Sequence, residues 1–284
     1  MEDLVTEVLI NGVAIPIVTA ILITVFFRFC LGRAWGNRAA SAAIGIAFLV
    51  GYALLFTWPD FPPKSSSQKL VFIVLAGVVI GLVTDFMKTP MIFKYLAIIL
   101  WPAAIIGWIG WRQITNINLE SAVTLGLLLV AAIYMFDRLA NSGARQSNAS
   151  VILLMACLGA SFITLIGASG SLSQKYAILA AAAGGFLLCN WPISRFNFGT
   201  AALMAGGGAF LGLAITTILF SEVHLLSFAI LLLVFLAPLG AKKLPWQQSS
   251  ALGPIIVGIV GAIPVMVGTG LAVYIAGDSF ELPF

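Results

Sequence analysis

The sequence predicts an all-α fold, a polytopic membrane helix bundle of about ten transmembrane helices built as a 5+5 inverted repeat. Three observations predict it. The 284-residue chain is 61% hydrophobic and 8% charged, against about 25% charged in ordinary soluble domains. Its apolar residues come in continuous runs, and about 20 helical residues suffice to cross about 30 Å of hydrocarbon. A frame G-x-x-L-L-x-x-W-P occurs at Gly51–Pro59 and returns 133 residues later at Gly184–Pro192.

In chain order the apolar runs fall at about 8–28, 39–58, 69–87, 91–111, 120–137, 149–169, 174–192, 199–220, 224–239 and 252–276. Helix is the expected state of each, because backbone polar groups in lipid must find partners within the segment. Barrel strands are excluded by the lack of alternation. Span nine is short enough to be tilted, broken or partly re-entrant. The connections are brief, so residues 1–284 read as a single integral membrane domain. The opening residues carry Glu2, Asp3 and Glu7 and no base, the wrong flank for a cleavable signal peptide, so span one reads as a permanent helix.

Loop charges set the expected orientation. With the N-terminus outside, inner loops hold Arg28, Arg33, Arg38, Lys88, Lys94, Arg138, Arg145, Arg195, Lys242 and Lys243. Outer segments hold Lys64, Lys69, Arg112 and Lys175. Eight of the ten acids fall outside, and only Asp85 and Asp137 fall inside. The bias places both termini on the outer face of an inner (plasma) membrane. The net charge of +4 follows from topology, and no loop carries a basic stripe for nucleic acid.

Spans one to five (residues 1–138) and six to ten (residues 149–277) form the two halves. An odd number of spans per half inverts the second. The Trp-Pro frame lies in spans two and seven. A G-x-x-x-G pair, Gly77/Gly81, lies in span three, and Gly208/Gly212 lies in span eight. Ser121-Ala122 opens span five, and Ser250-Ala251 opens span ten. Trp58-Pro59 and Trp191-Pro192 fall at opposite faces, each an interfacial tryptophan followed by a helix stop. The paired glycines are expected to let helices approach closely, which is what joins helices in lipid.

Pro102 in span four and Pro238 in span nine interrupt equivalent helices. Paired broken helices build many transporter sites, so Trp101, Pro102, Asn190 and Pro238 are the candidate substrate-binding residues. Asn11, Thr57, Thr216 and Thr217 are further neutral polar groups. Pro16 interrupts span one, and Pro254 and Pro264 interrupt span ten. The plan, with both ends outside and prolines in spans four and nine, resembles that of bile-acid and auxin-carrier type transporters. Length and helix count resemble drug/metabolite exporters, whose termini usually lie inside. These are likenesses of plan, and no family residue carries over.

Reactive chemistry is sparse. The one histidine, His224, stands near Glu222 at a boundary. No close carboxylate pair, metal-ligand spacing or nucleophile–base set appears, so no enzyme activity, cofactor or metal is expected. Cys30, Cys157 and Cys189 read as free buried thiols. Asp85 reads as an i,i+3 ion pair with Lys88, and Asp137-Arg138 reads similarly. The expected function is an inner-membrane permease or exporter. It would move a small, weakly charged or apolar solute by alternating access. The alternative is a non-catalytic subunit or assembly factor of a larger membrane complex. Expected partners are the lipid bilayer, a small solute, and a second copy or other membrane subunits, with no nucleic acid.

Overall fold

The computed structural model describes residues 2–87, 91–116, 118–142, 147–167, 169–221, 223–242 and 252–278. Among them the chain forms α1 (Thr6–Cys30), α2 (Gly32–Leu55), α3 (Ser66–Phe86), α4 (Met91–Ile109), α5 (Leu119–Ala140), α6 (Ser147–Gly167), α7 (Gly170–Cys189), α8 (Ala202–Phe220), α9 (Leu225–Ala241) and α10 (Leu252–Asp278). A short helix, Trp111–Thr115, follows α4. Eight of these, all but α4 and α9, are long and apolar enough to cross a membrane. No strand occurs among the described residues. The protein is a multi-pass helical membrane protein.

Successive helices run in opposite directions, so their ends gather in two groups. Arg28, Arg33, Arg38, Arg138, Arg195 and Lys242 lie at one end, called here the arginine end. Lys64, Lys69, Arg112 and the serines around Ser169 lie at the other, the serine end. Lys88, Arg145, Glu222, Lys243, Glu281 and the Ser250-Ala251 pair lie outside the described residues.

The buried centre is made by α2, α7, α8 and α6, whereas α1, α5 and α10 turn most of their apolar surface outward. An outward apolar face is what lipid requires, since hydrocarbon is as apolar as leucine. Association must then come from close packing and hydrogen bonds. The sequence supplies small residues for it. Ala42, Ala43, Ala47, Ala182, Ala183, Ala205 and Ala209 are fully buried. α2 packs against α1, α3 and α7, and α3 lies along α8. Tyr176 of α7 fills the middle, edge-on to Phe210 at 5.8 Å, and Phe210 meets Phe235 of α9 at 5.9 Å.

Caps and turns account for the helix starts. α3 opens with a capping box between Ser65 and Gln68, and α5 with one between Asn118 and Ser121. The connection from α1 to α2 is one residue long, and Gly32 adopts φ 71°, a left-handed conformation that glycine takes without a steric penalty. Two helices carry π turns that the sequence reading does not foresee, Ile10–Ala14 in α1 and Ala202–Gly207 in α8. The first stands just before Pro16, whose ring and missing N–H disrupt the ordinary α ladder there. α4 runs unbroken through Pro102, while α9 tightens to a 3-10 segment, Leu232–Leu236, directly before the turn holding Pro238.

Candidate functional site

Gly77 and Gly81 sit where two helices meet backbone to backbone, whereas Gly208 and Gly212 sit against neighbouring side chains. A methyl group on Gly77 would stand 2.8 Å from the Met204 carbonyl, and one on Gly81 would strike the Ala201 backbone. α3 therefore lies directly on the start of α8. Further along α8, a methyl on Gly208 would approach Trp101 Nε1 of α4 to 3.0 Å, and one on Gly212 would approach Leu70 of α3 to 2.9 Å. Trp101 Nε1 donates to the Met204 carbonyl at 3.0 Å. Met204 lies within the π turn, and its carbonyl also accepts from the Gly208 amide, so the indole adds a second donor to it.

At the arginine end, Asp85 joins three helices. Its Oδ1 accepts from the Thr200 amide at 2.9 Å and its Oδ2 from the Ala201 amide at 3.1 Å. Ser41 of α2 donates to the same carboxylate at 3.4 Å, and Arg38 Nη1 donates to the Asp85 carbonyl at 3.4 Å. The first amides of a helix have no intrahelical acceptor, and the helix dipole favours an anion there. Asp85 thus caps α8 from the end of α3. A side chain on Gly199 would collide with this carboxylate. The expected ion-pair partner, Lys88, lies outside the described residues. Asp137 and Arg138 also find separate partners: Asn141 donates to Asp137 at 2.8 Å, and Arg138 lies over the Tyr134 ring at 5.4 Å.

Beside this junction is a cavity of about 770 Å³. The end of α1 contributes Arg28 and Phe29, the start of α2 Arg33 and Asn37, and the segment after α7 Trp191 and Arg195. The tight turn at Gly32 is what brings Arg28 and Arg33 to one wall. Asn190 ends α7, and its Oδ1 accepts the amides of Arg195 and Phe196 at 3.0 and 2.7 Å. That bond pair folds the chain back so that Arg195 closes the cavity. Asn37 Oδ1 and Asn190 Nδ2 are buried without hydrogen-bond partners among the described residues.

At the serine end a second cavity of about 400 Å³ is walled by Ser67, Ser169, Ser171, Thr216 and Ser221. Near it Lys175, read from sequence as a loop base, is 4% exposed within α7. Its Nζ donates to Ser67 Oγ at 3.3 Å and lies 4.5 Å from the Phe56 ring centre. Tyr176 and Thr217 hydroxyls are 3.4 Å apart just inside.

The four candidate residues do not gather at one place. Trp101 and the buried Pro102 face α8 or its neighbours in mid-α4, Asn190 lies at the arginine end, and Pro238 is buried near the end of α9. α4 packs on α5 and α8, while α9 packs on α10, α6 and α5. His224 is exposed before α9, and Thr57 is exposed. Sequence reasoning missed Lys175, the Asp85 cap and the arginine cavity. The signal for the cavity was present as Arg28, Arg33 and Arg195, but it was read only as orientation. No protein-family model matches the chain, and a search of curated proteins finds no match.

Proposed function

We propose that the protein is a permease or exporter of a small solute, working by alternating access between two vestibules. One observation carries this reading. The two cavities lie at opposite ends of the same central helices, and equivalent parts of each proposed half build them. The arginine-end cavity uses the end of α1, the start of α2 and the connection after α7. The serine-end cavity uses the end of α6, the start of α7 and Ser67, at the start of α3, and adds the end of α8 with Thr216, Phe220 and Ser221. Moving five helices along the chain exchanges the first two parts, as an inverted repeat of residues 1–138 and 149–277 requires.

In this reading all ten helices span an inner membrane, both termini face outward, and the solute is small and weakly charged or apolar. Rocking one half against the other would open each vestibule in turn. Counterflow measured in proteoliposomes across a solute panel tests the proposal. Flux of at least one solute, lowered by Pro102→Ala, supports it. No flux across the panel, together with constant-ratio co-purification with other membrane proteins, would replace it with the subunit reading.

A further inference from the structure

We infer that the arginine-end cavity is a binding site for the headgroup of an anionic phospholipid, held by Arg28, Arg33 and Arg195. The charge is one-sided. Three guanidinium groups line the cavity, and no carboxylate does so among the described residues. None of the three makes a hydrogen bond or ion pair among the described residues, unlike Arg38, which is engaged by the Asp85 carbonyl and lies 5.9 Å from the Trp35 ring centre. Three unpaired cations around one hollow repel one another, and an anion between them relieves this. Guanidinium offers paired N–H donors that match phosphate oxygens.

The surroundings select a lipid rather than a soluble anion. Apart from Asn37 the remaining wall is mostly apolar, with Val25, Phe29, Leu188 and Trp191 all exposed on the outer surface. Phe29 is 82% exposed, and above it along α1 Phe26 and Leu22 are also exposed. An anion entering here therefore has an apolar strip running from the cavity along the lipid-facing side of α1. That arrangement suits a headgroup with its acyl chains attached. Basic pockets between helix ends at one membrane face are where such headgroups bind. The volume, about 770 Å³, lies within the range of about 300–1,000 Å³ seen for small-molecule sites.

The site does not depend on transport. It would fix the depth and tilt of α1, which touches the bundle mainly through α2 and α7. Native mass spectrometry of delipidated protein in neutral detergent provides the test. Phosphatidylglycerol, phosphatidylcholine and inorganic phosphate are titrated separately. The expected result is retention of phosphatidylglycerol over phosphatidylcholine by the wild-type chain. Replacing the three residues together, Arg28→Gln, Arg33→Gln and Arg195→Gln, should weaken phosphatidylglycerol binding on the order of a hundredfold. Arg112→Gln, at the opposite end, should leave it unchanged. Equal retention of the two lipids by the wild type overturns the inference without recourse to any variant. Binding of inorganic phosphate with no lipid preference also overturns it and assigns the site to a soluble anion.

Discussion

Trp101 Nε1 and the Met204 carbonyl, 103 residues apart in sequence, are joined at 3.0 Å. The bond ties the middle of α4 to the π turn of α8. It adds a second donor to a carbonyl that already accepts from the Gly208 amide. Trp101→Phe keeps an aromatic ring there but removes the donor. We expect a loss of about 1 kcal/mol, the net worth of one hydrogen bond, since the Met204 carbonyl keeps its bond from the Gly208 amide. Thermal unfolding in detergent reads this as a lower midpoint. An unchanged midpoint would mean that the bond contributes nothing.

Asp85→Asn tests the cap on α8. The amide keeps one acceptor oxygen and loses the charge that the helix dipole favours, so stability should fall by about 1–3 kcal/mol. Gly199→Ala should act in the same direction by pushing the carboxylate away from Ser41 and the α8 amides. If Asp85 only met solvent, both variants would unfold like wild type.

Glycines in contact and glycines in open space should part sharply. Gly81→Ala forces a methyl into the Ala201 backbone and should destabilise by about 1–3 kcal/mol. Gly107 and Gly126 have nothing within 4 Å of an added methyl. Alanine at either should be neutral or stabilising by up to about 1 kcal/mol, through helix propensity. Equal midpoints for all three variants would contradict the packing of α3 on α8.

Lys175 is buried with a hydroxyl and a ring face as its described partners and no carboxylate. Lys175→Met retains the stem volume and removes the desolvated charge, so unfolding should occur at the same or a higher temperature. Lys175→Ala leaves a void and should lower stability by about 2–4 kcal/mol. A methionine variant much less stable than the alanine variant would show that the ammonium itself holds α7 to α3.

Cys30 is exposed at the arginine end, and Cys157 is fully buried. In a Cys189→Ser background, a membrane-impermeant maleimide should label Cys30 in inverted vesicles and not in intact cells. Labelling from intact cells would place the arginine end outside and reverse the orientation drawn from loop charges.

Local features were legible in the sequence, and distant ones were not. Apolar run length alone located the helices, because crossing lipid is a property of each segment by itself. Gly77 and Gly81 announced a close contact, since no other role for that spacing in lipid is as common. Their partner, the backbone from Ala201 to Ala205, could not be named, because it depends on where α8 comes to rest. Asp85 shows the same limit. Lys88 is three residues away in sequence, yet the carboxylate reaches Thr200, 115 residues on. Lys175 misled for a different reason. One charge at the edge of an apolar run reads as a loop residue, and only the placement of Ser67 and Phe56 makes its burial tolerable. Pro102 and Pro238 pointed to interruptions, but Pro102 lies in an unbroken helix, while the 3-10 winding falls just ahead of Pro238.

The stretch between α7 and α8 is pinned twice. Near its start the Asn190 side chain holds the amides of Arg195 and Phe196, and at its finish Asp85 holds those of Thr200 and Ala201. A strap fastened at both ends passes on displacement instead of absorbing it. Tilting α7 must drag the tip of α3 and, through Ser41 and Arg38, the foot of α2. The arginine end is thus geared as one piece.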